Sequence, residues 1–304
     1  MPTLLDFRRR IRSVKNTQQI TRAMKFVAAA RLRRAQEKVI ALRPYAAAIR
    51  DVLRSAMSRL ADVDEEHLHP LLRRRPDRRV LVLVTAGERG LAGGFNSNIL
   101  RRAFEFLGTL GDREIQLIAL GKKSRDALSK RYGKLSGEYA DVTTLADRAK
   151  AAEIARVVMA RYDAAEVDAV YLVYNEFKSI MTSVQRVERL LPLEVEPAPS
   201  APAASGNEGN TAAPDPASQV DFLYAQPPDQ IFSRLVPRYV ETEIYRMLAE
   251  SSAAEHAARM TAMEAATSNA SDVIDDLTLH MNKVRQAAIT REIIEVVSGS
   301  SAAE

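Results

Sequence analysis

Cysteine is absent from all 304 residues, which excludes disulfides, thiolate catalysis and cysteine-ligated metals. Histidine is scarce. His67, His69, His256 and His280 form neither an HxxxH nor an HxxE pattern, so they read as solvated or packed side chains rather than metal ligands. No apolar run approaches the roughly 18 residues that span a bilayer. The start of the chain lacks the short apolar core of a secretory signal. Residues 1–43 are arginine-rich and nearly free of acids, like a mitochondrial transit peptide, but their helical pattern continues far past any cleavage point. These features point to a cytosolic, mildly basic protein, with a net charge of +5.

Glycine and proline are missing where it matters most. Residues 3–43 and 238–298 contain neither, and nine of the 12 glycines fall between Gly87 and Gly137. Helices average about 11 residues, so both spans predict unusually long ones. Alternate steps of three and four from Leu4 reach Phe7, Ile11, Val14, Gln18, Thr21, Lys25, Ala28, Leu32, Ala35, Val39, Leu42, Ala46, Ile49, Leu53, Ala56 and Leu60. Fourteen of these 17 positions are apolar, as in a coiled-coil seam. The exceptions are Gln18, Thr21 and Lys25. There the stripe is expected to slide to Ile20, Met24 and Val27, turning the cations outward. Pro44 is expected to kink or locally break the helix without ending the pattern. At about 1.5 Å per residue, residues 4–60 reach roughly 85 Å.

The C-terminal span repeats the pattern. Val240, Ile244, Met247 and Leu248 begin an apolar stripe, and Val273, Leu277, Met281, Val284 and Ala288 continue it. Between them, "SSAAEHAARMTAMEAATSNAS" has eight alanines in 21 residues, which predicts a close helix crossing. Paired with the N-terminal helix, it makes an antiparallel rod. In the middle, "RRVLVLVTA" and "REIQLIALG" read as buried strands, each followed by a helical pattern. "VDAVYLVYNEF" and the alternating "TSVQRVERLLPL" follow, predicting an α/β domain with a largely parallel sheet. Residues 197–218 hold five prolines, seven alanines and no larger apolar side chain, which predicts a disordered insertion. The expected division is an N-terminal coiled-coil helix (1–75), a Rossmann-like α/β domain (76–196), the insertion (197–218) and a C-terminal coiled-coil helix (219–304).

Little in the sequence resembles an active site. "TAGERGLAGGFNSN", residues 85–98, lies where phosphate loops occur, but its glycine spacing fits neither GxGxxG nor a P-loop. No acidic residue follows the second strand to hold a ribose. A tight strand-to-helix turn is the better reading. Asp275–Asp276 and the group Asp62, Asp64, Glu65 and Glu66 fit solvated helix surfaces. No Ser/His/Asp set assembles, and no cofactor is implied. Residues 1–43 carry 12 Lys/Arg against Asp6 and Glu37, an excess larger than the whole chain's +5. Such a belt suits nucleic acid or an acidic protein surface. Only Phe7 and Phe26 interleave with the charges. A nucleic-acid-binding coiled coil and a nucleotide-binding α/β protein stand as alternatives.

"IRSVKNTQQITRAMKFVAAARLRRAQ" with "RPYA", and the stretch from "EHAARMTAMEAATSNAS" to "EIIEVVSG", closely resemble the gamma subunit of F-type ATP synthases. "ERGLAGGFNSN" is similar too. The likeness runs through nearly the whole chain apart from 197–218, and it is to a bacterial form, without the regulatory cysteines of the chloroplast type. The resemblance implies a noncatalytic rotor shaft inside a ring of three alpha and three beta subunits, with the epsilon subunit and c ring at its foot. It implies a peripheral place on the cytoplasmic side of the bacterial inner membrane. By the same resemblance, Met24 and Lys25 meet the acidic lever of beta. Arg285 and Gln286 hydrogen-bond a beta loop, Arg259, Thr290 and Glu292 bear on coupling, and Phe222 and Tyr224 lie near the c ring. Ala225 stands where the family often has an acid.

Overall fold

The computed structural model describes residues 3–58, 69–193 and 228–301. Phe222, Tyr224 and the expected insertion at 197–218 lie outside them. Helix α1 spans Leu4–Ser58 and helix α6 Pro228–Ser301. Between them come β1 (Arg79–Thr85), α2 (Phe95–Thr109), β2 (Glu114–Leu120), α3 (Lys122–Tyr132), β3 (Gly137–Tyr139), α4 (Val142–Leu145), α5 (Arg148–Asp163), β4 (Ala169–Phe177) and β5 (Ser183–Leu191).

The sheet order is β3-β2-β1-β4-β5. The first four strands are parallel, and β5 returns antiparallel to β4. The apolar run of β1 is buried on both faces, as the inner strand of a parallel sheet must be. Its alternation separates two cores. Val80, Val82 and Val84 pack with Ile99, Ala103 and Leu107 of α2. Leu81 and Leu83 pack with Ile154 and Val158 of α5 and with Val240, Ile244 and Leu248 of α6. The Rossmann-like reading is therefore correct, with the long helices forming part of the second face.

Along α1, Phe7, Ala28, Leu32, Ala35, Val39, Ala46, Ile49 and Leu53 are buried, each a position of the predicted seam. The pairing with α6 is antiparallel: Lys25 meets Glu264, Arg43 meets Glu250 and Arg50 meets Glu243. Two expectations need correction. Pro44 does not break α1. It is exposed, so the carbonyl left without a partner one turn earlier faces water. Nor does the seam slide. Ile20 and Val27 are 59% and 53% exposed, whereas Thr21 is 9% exposed and stays inside. The alanine-rich stretch does pair closely with α1, through Ser271, Thr267 and Glu264, and its first turns, within the run from Met247 to Ala257, are also buried against the sheet.

The turn from β2 into α3 depends on Gly121, which has φ of +98°. A Cβ there would run into the carbonyl oxygen of Ala86. Gly121→Ala should therefore lower stability by about 2–4 kcal/mol, through backbone strain and a clash with main chain that cannot swing away. A chemical denaturation midpoint equal to that of the parent would contradict this.

Candidate coupling surface on the paired helices

The three polar seam positions each have a partner on α6. Gln18 Nε2 donates to Ser271 Oγ at 2.7 Å. The hydroxyls of Thr21 and Thr267 lie 2.8 Å apart, so one donates to the other, and the accepting hydroxyl keeps its own proton for a carbonyl of its helix, Gln18 for Thr21 or Met263 for Thr267. Lys25 Nζ reaches Glu264 Oε1 at 2.6 Å. Short hydroxyl side chains bring the helix axes close and satisfy one another there. The result is a polar inlay three positions long within an otherwise apolar seam. Beside it runs a groove of about 650 Å³ lined by Gln19, Arg22, Phe26 and Ser268.

Lys25 does not face freely outward as expected: its ammonium reaches across to Glu264 and stays partly solvated. The outer surface there carries exposed Ile20, Phe26 and Val27, with Arg22 exposed and Met24 half-buried. Arg8, Arg9, Arg10, Arg12, Lys15, Arg31, Arg33 and Arg34 are exposed along the same helix. The surface is thus a cationic belt with apolar points.

Arg259 is placed differently. Its guanidinium donates to Glu255 Oε1 at 2.6 Å and to the Gly90 carbonyl at 3.4 Å, and its side chain is 12% exposed. It ties α6 to the glycine-bearing loop of its own domain. In that loop the Gly87 N–H donates to Asn96 Oδ1. A Cβ on Gly87 would sit 3.0 Å from both Asn96 Oδ1 and Glu255 Cδ. In doubly wound sheets the crevice where strand order reverses receives nucleotides. Here α6 lies across it and Glu255 fills the space beside the loop. The tight-turn reading of residues 85–98 agrees with this geometry.

Arg285, Gln286, Thr290 and Glu292 are all exposed, and Thr290 Oγ1 donates to the Gln286 carbonyl. The register that pairs residue 18 with 271 brings the start of α1 level with about residue 285. Beyond that point α6 has no α1 residue opposite it among the described residues. It exposes Ile289, Ile293, Ile294 and Val296.

Sequence reading missed the buried carboxylates of α6. Glu243, Glu250 and Glu255 are all buried, and Arg50, Arg43 and Arg259 respectively meet them. Burial works against the charge of Arg246, yet Glu243 and Glu188 hold its pKa above the ordinary arginine value. The seven-residue spacing of Glu243 and Glu250, within an apolar stripe, was the available signal.

Comparison with known proteins covers the whole chain. A family model described as ATP synthase matches residues 3–303. The ATP synthase gamma chain of Solibacter usitatus is 48% identical over 304 residues, covering 100% of both chains. That of Pelotomaculum thermopropionicum is 43% identical over 304 residues, again covering 100% of each. Among solved structures, a chain of the Euglena gracilis mitochondrial ATP synthase OSCP/F1/c-ring assembly in rotational state 3 is similar in fold. Its TM-score is 0.63 at 17% identity, covering 98% of this chain and 94% of that one.

Two outcomes follow from the inlay and its neighbourhood. Lys25 and Glu264 are partly solvated, with side chains 32% and 60% exposed, so Glu264→Gln should cost no more than about 1 kcal/mol of stability. A larger loss in denaturant titration would contradict the inlay as described. His256 is the second case. Burial first, with Arg259 and Arg31 nearby, lowers its pKa below 6.5, against the opposing pull of Glu255. The unfolded chain then takes up the proton more readily than the folded one. Stability is full above 6.5 and is lost as pH falls through that value toward the lower folded-state value. The thermal midpoint should therefore fall on acidification through this window, and fall less in His256→Gln.

Proposed function

The chain belongs to the ATP synthase gamma-chain family, and on that premise we propose that it is the central rotor shaft of a proton-translocating ATP synthase. It is noncatalytic itself and couples proton flow at a c ring to ATP chemistry in a ring of alpha and beta subunits. The observation that carries this reading is the full-length match at 48% identity. The antiparallel helix pair, which extends well past the α/β domain, supports it. We divide the chain into an N-terminal shaft helix (1–75), an α/β domain (76–196), an insertion (197–218) and a C-terminal shaft helix (219–304).

The partners are alpha, beta, epsilon and the c ring. No helix among the described residues is long and apolar enough to cross a membrane. Association with the cytoplasmic face of a bacterial inner membrane would therefore come through the complex. Met24, Lys25, Arg285, Gln286, Thr290 and Glu292 form the surface that beta reads. Arg259 acts on coupling by holding the domain to the shaft. Phe222 and Tyr224 belong to the foot, with epsilon and the c ring. The nucleotide-binding alternative is disfavoured because α6 occupies the crevice it needs. Co-expression tests the whole reading: with alpha and beta the chain should yield a rotary ATPase, and alone it should hydrolyse no ATP. Hydrolysis by the isolated chain would overturn it.

The coupling surface makes a sharper prediction. Met24 is half-buried beside the Lys25–Glu264 pair, among the exposed apolar points. Met24→Lys adds a cation facing the beta subunits, and a charged hydrogen bond gained in one rotary state deepens that state by about 1.5–3 kcal/mol. A deeper well is slower to leave. The variant should assemble and hydrolyse ATP, yet pump fewer protons per ATP. An unchanged ratio, with both rates measured on the same membranes, would remove this stretch from the coupling surface.

A further inference from the structure

Strand β4 outruns its neighbour. It pairs with β1 as far as Val173, opposite Val84, while its other edge pairs with β5 on to Phe177. The alternation of the strand turns the main-chain groups of residues 175 and 177 away from β5, toward the side where β1 has ended. Buried backbone groups need partners. Here the long helices supply them. The Asn175 N–H donates to Ser251 Oγ at 3.3 Å, and the Phe177 N–H donates to Glu250 Oε2 at 2.9 Å. The Phe177 carbonyl accepts from Arg43 Nη2 at 2.8 Å. Arg43 also grips Glu250, through Nε at 3.2 Å and Nη2 at 3.1 Å. Side chains from α1 and α6 thus take the place of the missing strand.

Resting on the rotor-shaft reading, we propose that Glu250, Arg43 and Ser251 form a torque joint. They are positioning residues that fix the angle and axial register between the α/β domain and the shaft. Apolar packing holds the helices against the sheet but is non-directional, whereas hydrogen bonds have narrow limits of distance and angle. Among the described residues, Glu250 is the only one of the three buried α6 carboxylates to bond directly to both α1 and a strand, and it is 2% exposed. The layers on either side follow the same plan. Glu243 holds Arg50 of α1 and Arg246, which reaches Tyr174 of β4 and Glu188 of β5. Glu255 holds Arg259, which reaches the Gly90 carbonyl. Rotation imposed at the domain then reaches the coupling surface without slip.

The test uses the complete ATP synthase in inverted membrane vesicles, built around the parent chain, Glu250→Gln or Ser251→Ala. Two quantities are read: protons pumped per ATP against an increasing opposing gradient, and hydrogen exchange at the Asn175 and Phe177 amides. Glu250→Gln keeps an acceptor for Phe177 but loses the charge that grips Arg43. It should keep ATP hydrolysis without load, lose pumping per ATP several-fold under load, and speed exchange at Phe177 by about tenfold. Ser251→Ala should raise exchange at Asn175 with a smaller loss under load, and it decides the matter if the first variant fails to assemble. Faster exchange with an unchanged pumping ratio would overturn the joint as a transmitter of torque. Lost pumping with unchanged exchange would overturn its location. A parent chain that supports no pumping would instead remove the rotor reading itself.

Discussion

From Met247 to Ala257, α6 is buried on every side for three turns, between α1 and the α/β sheet. The rest of the architecture depends on that segment. A helix with no solvent face must find partners for its polar groups within the protein, and this one carries Glu250, Ser251, Ser252, Glu255 and His256, with Glu255 Oε2 left without a hydrogen bond. Removing one partner from a buried pair costs far more than an exposed pair contributes. Each charge of this segment therefore fixes a neighbour: Arg43 on α1, the end of β4, and the loop after β1. The small residues between them let both the helix and the sheet come close. The shaft and the domain form one body because a single stretch of helix belongs to the core of each.

Further along the shaft the requirement changes, and so does the chemistry. Past the domain the two helices have only each other, and their seam softens to Gln18–Ser271, Thr21–Thr267 and Lys25–Glu264. Polar pairs hold register at little cost in stability, because their alternative partner is water. The outer surface keeps cations and scattered apolar side chains beside an open groove. Such a surface suits a shaft that meets several equivalent partners in turn. A contact shifts an equilibrium only by the difference it makes between states, and charges act over distance without interlocking. At the far end, Ile289, Ile293 and Val296 are exposed on α6, with no α1 residue opposite them among the described residues.

Much of this was legible in the sequence, for definite reasons. The seam from Ala28 to Leu53 obeys a strict three–four alternation, and the structure buries the same residues apart from Leu42, which is half-buried. The valine and leucine alternation of β1 announced a strand with two covered faces. The inlay was misread because a polar residue at a seam position looks like a failure when only one strand of the pair is in view. Thr21 stays inside because Thr267, 246 residues away, offers a hydroxyl. The spacing of Glu250 marked it as a seam residue but not its partners, which are an arginine 207 residues distant and the main chain of a strand end, and main-chain groups leave no mark in a residue pattern. Nothing in the residue pattern joins Arg259 to a loop 169 residues earlier in the chain. Only the fold reveals that the loop at Gly90 comes up to meet it.

The central claim is that α1 and α6 turn as one rigid body held in this register. The chain has no cysteine of its own, so a pair introduced as Thr21→Cys and Thr267→Cys stands alone, at hydroxyl positions now 2.8 Å apart. The measurement is ATP-driven proton pumping by the assembled enzyme before and after oxidation, with disulfide formation followed by mass spectrometry. The account predicts that the bond forms readily within one chain and leaves pumping per ATP unchanged, because nothing at that level moves between the helices. A bond that does not form, or one that forms and stops pumping until it is reduced, would contradict it.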